Sequence, residues 1–318
     1  MAGIALVGYV LCVMVVVAIV WLIVRRRPQR GEPLAPPVRS LLDAARRRAV
    51  IAVVGSGVVI VALFVAGYFL NALVGLPVVL APALGGAAGL LVYSATPPRI
   101  LAVDSDAARE ASLTRRTPLS FLPRVGAGLL AVAVLLQIVF LIFTGATSSP
   151  DESGRYRMIA FHTADSGSAS GPYAGWFYGV PLLVTTVILV AATLLALWRV
   201  SSTPALPQRD LAEVDAGWRR ATNRIIVAIS SAALLLQFGE VAVQSGLAIR
   251  NAHFDGVPAG WDTIGQVFEG AGLAMMIGSI AGLTLAALWA FTLPDLSLIR
   301  KPRAAAHRGH AALEGSPQ

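Results

Sequence analysis

Charge is what this sequence has least of. Asp, Glu, Lys and Arg make up 13% of its 318 residues, against roughly 25% in soluble domains. With 56% of the residues hydrophobic, an aqueous core could not absorb the apolar side chains, so the lipid bilayer is the expected solvent. Cysteine is nearly absent as well. Cys12 stands alone, which excludes an intramolecular disulfide and leaves the redox compartment unread. Leu11 before it is too large for a lipoprotein cleavage site, so Cys12 is read as a small hydrophobe in lipid. Lysine occurs once, at Lys301, and the net charge of +8 is carried by arginine. The arginines lie in short clusters beside apolar runs. That is the pattern of membrane topology rather than of a phosphate-binding face, and no nucleic-acid partner is expected.

Catalytic signatures are missing too. The sequence holds no His-Glu-x-x-His, no Gly-x-Ser-x-Gly and no Gly-x-x-x-x-Gly-Lys, which removes the zincin, nucleophile-elbow and P-loop chemistries. No pair of intramembrane aspartates marks a protease, and no helix carries the arginine series of a voltage sensor. An enzyme is therefore not expected, and no cofactor is indicated.

What is there is a set of long apolar runs. About 20 apolar residues cross the ~30 Å hydrocarbon layer as a helix. Runs of that length lie near Ile4–Val24, Ala49–Leu70, Leu76–Ala95, Val125–Thr144, Trp176–Trp198, Ile225–Ser245 and Gln266–Leu293. They are apolar on both faces, unlike barrel strands, and helices satisfy their own backbone groups in lipid. The expected fold is an all-α integral membrane protein with seven transmembrane helices, one lone N-terminal helix followed by three hairpins. The first run begins at Met1-Ala2-Gly3 with no positive charge and ends at Arg25-Arg26-Arg27. A signal peptide has its charge at the other end, so this run reads as an uncleaved span.

Basic residues set the orientation. Of the 25, 22 fall in segments 25–48, 96–124, 199–224 and the tail, and only Arg155, Arg157 and Arg250 fall on the opposite side. Positive charge stays in the cytoplasm. The N-terminus is expected outside and the C-terminus inside, in the cell (inner or plasma) membrane. Trp21, Trp198 and Trp289 lie near inner ends and Trp176 and Trp261 near outer ends, as suits a ring that is apolar with a polar N–H. Outside the spans, 28–38 is proline-rich, 39–48 could lead helically into the second span, 101–116 and 210–224 have helix-forming composition, and 294–318 reads as a disordered tail. The outer loops are 145–175, rich in Ser, Gly, Asp and Thr, and 246–265.

Two stretches resemble each other. Leu135-Leu136-Gln137 matches Leu235-Leu236-Gln237, the Trp176 and Trp261 segments correspond, and Thr193–Trp198 matches Thr284–Trp289. Spans four and five thus read as a parallel repeat of spans six and seven, with spans two and three a candidate third copy. Gly85-xxx-Gly89 and Gly278-xxx-Gly282 mark close helix packing.

Few polar residues enter the membrane. An acidic side chain at a helix centre costs ~2.5–3.5 kcal/mol on insertion scales, so Glu240 and Glu269 are candidates for a transport path or a structural bond. Gln137 and Gln237 could line such a path or tie helices together. In the outer loops, His162, Asp165, His253 and Asp255 carry the ligand chemistry of a divalent metal or a proton-sensitive gate, although a His-x-x-Asp spacing is also what an ordinary solvated loop contains. Three functions follow in order of preference. The first is a non-enzymatic scaffold or accessory subunit with a protein partner or a second copy. The second is a small transporter or channel through Glu240 and the glutamines. The third is an outer metal or proton-sensing site on His162 and His253.

Overall fold

A computed structural model describes residues 36–96, 121–204 and 212–293. The run expected as the first span and the tail lie outside the described residues. Among those described, six helices are long and apolar enough to cross a membrane. The chain is a helical protein of the membrane class.

Helix α1 (Pro36–Phe69) opens on Pro36-Pro37, where missing N–H groups cost nothing in a first turn. The polar stretch 39–48 and the apolar run after it form one continuous helix of 34 residues. A single 3-10 turn at Asn71–Leu73 reverses the chain. Val74 and Gly75 both take positive φ, 50° and 78°. That conformation suits glycine and strains a β-branched residue. The Tyr178 hydroxyl holds the turn by donating to the Val74 carbonyl at 2.7 Å. Helix α2 (Leu76–Ala95) returns antiparallel and packs along α1. Gly85 and Gly89 make this possible. A methyl on Gly85 would stand 2.8 Å from the Ser56 carbonyl oxygen, and one on Gly89 would run into the Ser56 hydroxyl and the Ala52 carbonyl.

Helix α3 (Arg124–Ala146) leads to the end opposite the arginines. There the segment expected as an outer loop, 145–175, contains a sheet. Strands β1 (Ser149–Pro150), β2 (Tyr156–His162) and β3 (Gly167–Ser170) pair antiparallel in the order β1-β2-β3. Asp151 organises the first turn. Its Oδ1 accepts the Ser153 and Arg155 N–H groups, both at 2.9 Å, and its Oδ2 pairs with Arg157. Those backbone donors, with Arg157 beside them, hold its carboxyl below the usual carboxylate range. Ile159 faces inward from β2 and packs with Tyr173, Ala248, Ile249 and Ala252. The sheet thus caps the bundle through an apolar contact. Tyr173 is fully buried, its hydroxyl 2.6 Å from Thr147 Oγ1, and burial pushes its pKa up to about 12.

Helix α4 (Trp176–Ser202) runs back to the arginine-rich end. Helix α5 (Ala212–Ala252) is the axis of the bundle. Its 41 residues extend about 60 Å, twice what lipid requires, so its first turns project at the arginine-rich end. In its most apolar stretch 78% of residues are buried, against 17% for α3. Helix α6 (Gly260–Phe291) lies against α5 along its length. Gly239 and Gly272 form one close crossing, where a methyl on either would stand 2.7 Å from the other's carbonyl oxygen. Gly246 and Gly265 form a second. Gly278 and Gly282, by contrast, have only ordinary contacts at 3.4 Å or beyond. The close-packing glycines of this hairpin are therefore not the pair its spacing advertised.

The two hairpins that resemble each other in sequence are joined differently. Helices α3 and α4 are linked through the sheet, whereas α5 and α6 are linked by the short segment 253–259.

Candidate functional site

Lipid cannot satisfy a side-chain amide, so a buried glutamine must find its partners within the bundle. Gln137 on α3 and Gln237 on α5 are both fully buried, and both turn to the same side chain on α4. Gln137 Nε2 donates to Thr186 Oγ1 at 3.0 Å. Gln237 Nε2 donates to the same oxygen at 3.3 Å and to the Leu182 carbonyl at 3.4 Å. Thr186 gives its own proton to the Leu182 carbonyl at 2.7 Å. A hydroxyl has one donor and two acceptor sites, so Thr186 is saturated.

A second rung lies one heptad away. Thr193 Oγ1 is 2.7 Å from Ser230 Oγ. Thr193 follows Thr186 by seven residues, and Ser230 precedes Gln237 by seven. Seven residues are close to two helical turns, so on antiparallel helices the two polar pairs fall on one seam. Ser279 of α6 adds a bond to the Ala232 carbonyl at 2.8 Å. Apolar side chains close around these groups. Leu141, Leu182 and Leu234 are fully buried, and the Phe140 ring lies 5.3 Å from Phe238 and 4.9 Å from Phe268.

Not every atom is satisfied. Gln137 Oε1, Gln237 Oε1 and Glu240 Oε2 are buried without a hydrogen-bond partner. Glu240 sits one turn beyond Gln237 on the same side of α5 and is itself partly exposed. Glu269 is elsewhere. Its Oε2 accepts from Arg250 Nη1 at 2.7 Å, and Arg250 Nε also lies 3.8 Å from Asp262. This is an ion-pair network at the sheet end, so Glu269 has no place beside the glutamines and its partner is a surface arginine.

The sheet places two of the four outer-loop residues, and the segment joining α5 to α6 places the other two. His162 ends β2 and is exposed, as is Asp165 in the following turn. Asp255 is exposed, and His253 is partly buried with its Nε2 unpartnered. The two loops do adjoin, since a methyl on Gly256 would touch the Thr163 side chain at 3.4 Å. Among the described residues, however, no group of three or more His, Cys, Asp or Glu stands close enough to hold a metal ion. The geometry adds nothing to the metal reading.

Sequence reasoning picked out the glutamines and missed what they bind. Thr186 was legible only as part of a seven-residue spacing shared by Thr186–Thr193 and Ser230–Gln237. No known protein family, curated protein or solved structure matches the chain.

Proposed function

We propose that this chain is a non-enzymatic scaffold or accessory subunit of a membrane complex, crossing the membrane with its arginine-rich end in the cytoplasm. The observation that carries the reading is the convergence of Gln137 and Gln237 on Thr186. Their donors are spent on tying α3, α4 and α5 together, inside an interior filled by Phe140, Phe238, Leu141 and Leu182. Groups used in this way hold a bundle in one arrangement and do not line a path.

The outer surface of α3 is where we place the partner. Val125, Leu129, Val132, Leu135, Leu136, Val139, Ile142 and Phe143 are all exposed, a face broader than a single knobs-into-holes seam. Lipid covers such a face as well as a helix does, and the partner we propose for it is another transmembrane helix, from a second copy or from a different chain. The lone first span and the parallel repeat remain part of the same reading.

One observation favours a small transporter instead: the unpartnered Glu240 Oε2 beside the two unpartnered glutamine oxygens. Reconstitution separates the two. Purified protein in liposomes is assayed for proton, sodium and potassium flux, and its oligomeric state is measured in the same lipid. The scaffold reading expects flux no higher than in empty liposomes and no difference for Glu240→Gln. Flux that Glu240→Gln or Gln237→Leu abolishes would overturn it in favour of transport. A reporter fused after Gln318 tests the orientation and is expected on the cytoplasmic side.

A further inference from the structure

Helices α1 and α6 meet at the arginine-rich end of the bundle. The Arg46 guanidinium lies 5.9 Å from the centre of the Phe291 ring. Leu42, Ala49 and Ala52 of α1 share one buried cluster with Ala286 and Ala290 of α6, and Val50 packs against it.

Toward the outer end the same two faces stand open. Arg46, Val50, Gly57 and Val61 follow one another along one side of α1 at spacings of four, seven and four, which are whole helical turns. Val61 is 43% exposed, and a methyl on Gly57 would meet nothing within 4 Å. On α6, Phe291, Thr284 and Ile277 are seven apart and so share a side, and Ile277 is 69% exposed. On a different side of α1, Ile60 and Phe64 pack with Ala81 of α2. Helix α1 thus follows α2 outward and parts from α6, leaving a cleft between two apolar faces.

The chain itself supplies an occupant of the right length. The apolar run 4–24 is followed by Arg25-Arg26-Arg27, as α1 carries Arg46-Arg47-Arg48 where its own apolar stretch begins. Eleven residues, 25–35, join the run to Pro36. A relaxed chain of that length spans about 20 Å. The polar residues 36–48 of α1 carry its start about 20 Å past the apolar stretch. The return along α1 therefore uses the length of the link, and the arginine-flanked end of the run lies beside α1, where α1 and α6 meet. Gly8 and Cys12, four apart in the run, let its backbone come close to a neighbouring helix.

We propose that the run 4–24 seats as a helix in the cleft between α1 and α6, against Gly57 and Val61 on one wall and Ile277 and Ile280 on the other. This rests on the reading of that run as a span with its N-terminus outside. Seated there, it crosses parallel to α6 and antiparallel to α1.

Cys12 is the chain's only cysteine, which makes a crosslinking test direct. Val61 lies as far from Arg48 as Cys12 does from Arg25, and Ile280 as far from Trp289 as Cys12 does from Trp21. Val61→Cys and Ile280→Cys are each made in the full chain, with Leu136→Cys on α3 and Val187→Cys on α4, both exposed at similar depth, as controls. The proteins are oxidised in liposomes with copper phenanthroline. Protection of both thiols from a maleimide polymer and the size on a non-reducing gel are the readouts. A disulfide needs Cα atoms about 4.4–6.8 Å apart, so a monomeric bond is expected about tenfold faster in Val61→Cys and Ile280→Cys than in the controls. Equal rates at all four positions, or no bond at the first two, overturn the proposal and leave the cleft to lipid. A dimer-sized product at the first two overturns it in favour of a second copy. A protease-sensitive tag at the N-terminus, probed on sealed vesicles with their outer side facing the protease, separates the two levels. A cleaved tag without the bond refutes the docking alone, whereas a protected tag refutes the span reading and the docking with it.

Discussion

The Gln137 amide donates to the Thr186 hydroxyl at 3.0 Å, across the interface between α3 and α4. Because Gln237 uses the same oxygen, removing the hydroxyl strands the Gln137 amide and leaves Gln237 only its 3.4 Å bond to the Leu182 carbonyl. Thr186→Val is predicted to destabilise the protein by about 2 kcal/mol, the cost of unsatisfied buried donors. The triple variant Thr186→Val, Gln137→Leu, Gln237→Leu removes donors and acceptor together and should recover much of that loss. Thermal denaturation in one detergent compares them. A triple variant less stable than Thr186→Val would contradict the shared-acceptor account.

Glycines on α6 are predicted to divide by what lies over them. Gly272→Val, like Gly246→Val on the facing helix, puts carbon against backbone oxygen or nitrogen at 2.5–2.8 Å. Such overpacking costs typically 1–3 kcal/mol or more. Gly270 has nothing within 4 Å, so Gly270→Ala is expected to be neutral or slightly stabilising, by up to about 1 kcal/mol. Unfolding midpoints of the three variants decide the matter, and equal losses would mean that the crossings are not where they are described.

Tyr173 predicts an alkaline limit to the stability of the sheet end. Its folded pKa, about 12, lies above the usual 10.0. A raised pKa means that the folded state holds the proton longer than the unfolded one. The contribution is therefore complete below pH ~10 and falls as pH rises towards 12. Tyr173→Phe abolishes the titration. Melting curves from pH 8 to 11 should show wild type losing Tm more steeply than the variant, and parallel curves would refute the assignment.

Asp151 predicts the opposite limit. Backbone donation from Arg155 and the charge of Arg157 lower its pKa. A lowered pKa stabilises above the ordinary carboxylate value near 4, and that stability is lost as pH falls through the folded value. Amide exchange in β2 is expected to accelerate on acidification in wild type. In Asp151→Asn it should be faster throughout and insensitive to pH beyond the intrinsic chemistry.

Glu269 is expected to matter little for stability. Its arginine partner is 44% exposed, and exposed pairs contribute about 0–1 kcal/mol. Glu269→Gln should shift Tm by no more than a degree or two, and high salt should erase the difference. A larger loss would place the pair in a drier setting than its exposure indicates.

Much of the architecture was already written along the chain. Crossing lipid requires a sum of per-residue transfer energies over about 20 positions. The runs at 76–95, 125–144 and 176–198 each exceed that sum without reference to any neighbour. Gln137 and Gln237 stood out for the same reason, as polar groups where each one costs energy. The sheet was less legible, because Tyr156–His162 is short and its stability comes from Ile159 packing on α5.

Sequence alone determined how many described segments can cross and at which end their arginines gather, because both follow from moving single residues between water and lipid. Tertiary structure alone decided that two glutamines a hundred residues apart meet at Thr186, that Gly239 and Gly272 rather than Gly278 and Gly282 hold α5 against α6, and that Arg48 lies over the Tyr93 ring. Lipid is as apolar as leucine, so hydropathy does not distinguish a helix face that meets lipid from one that meets another helix. Only packing and hydrogen bonding between specific side chains make that choice.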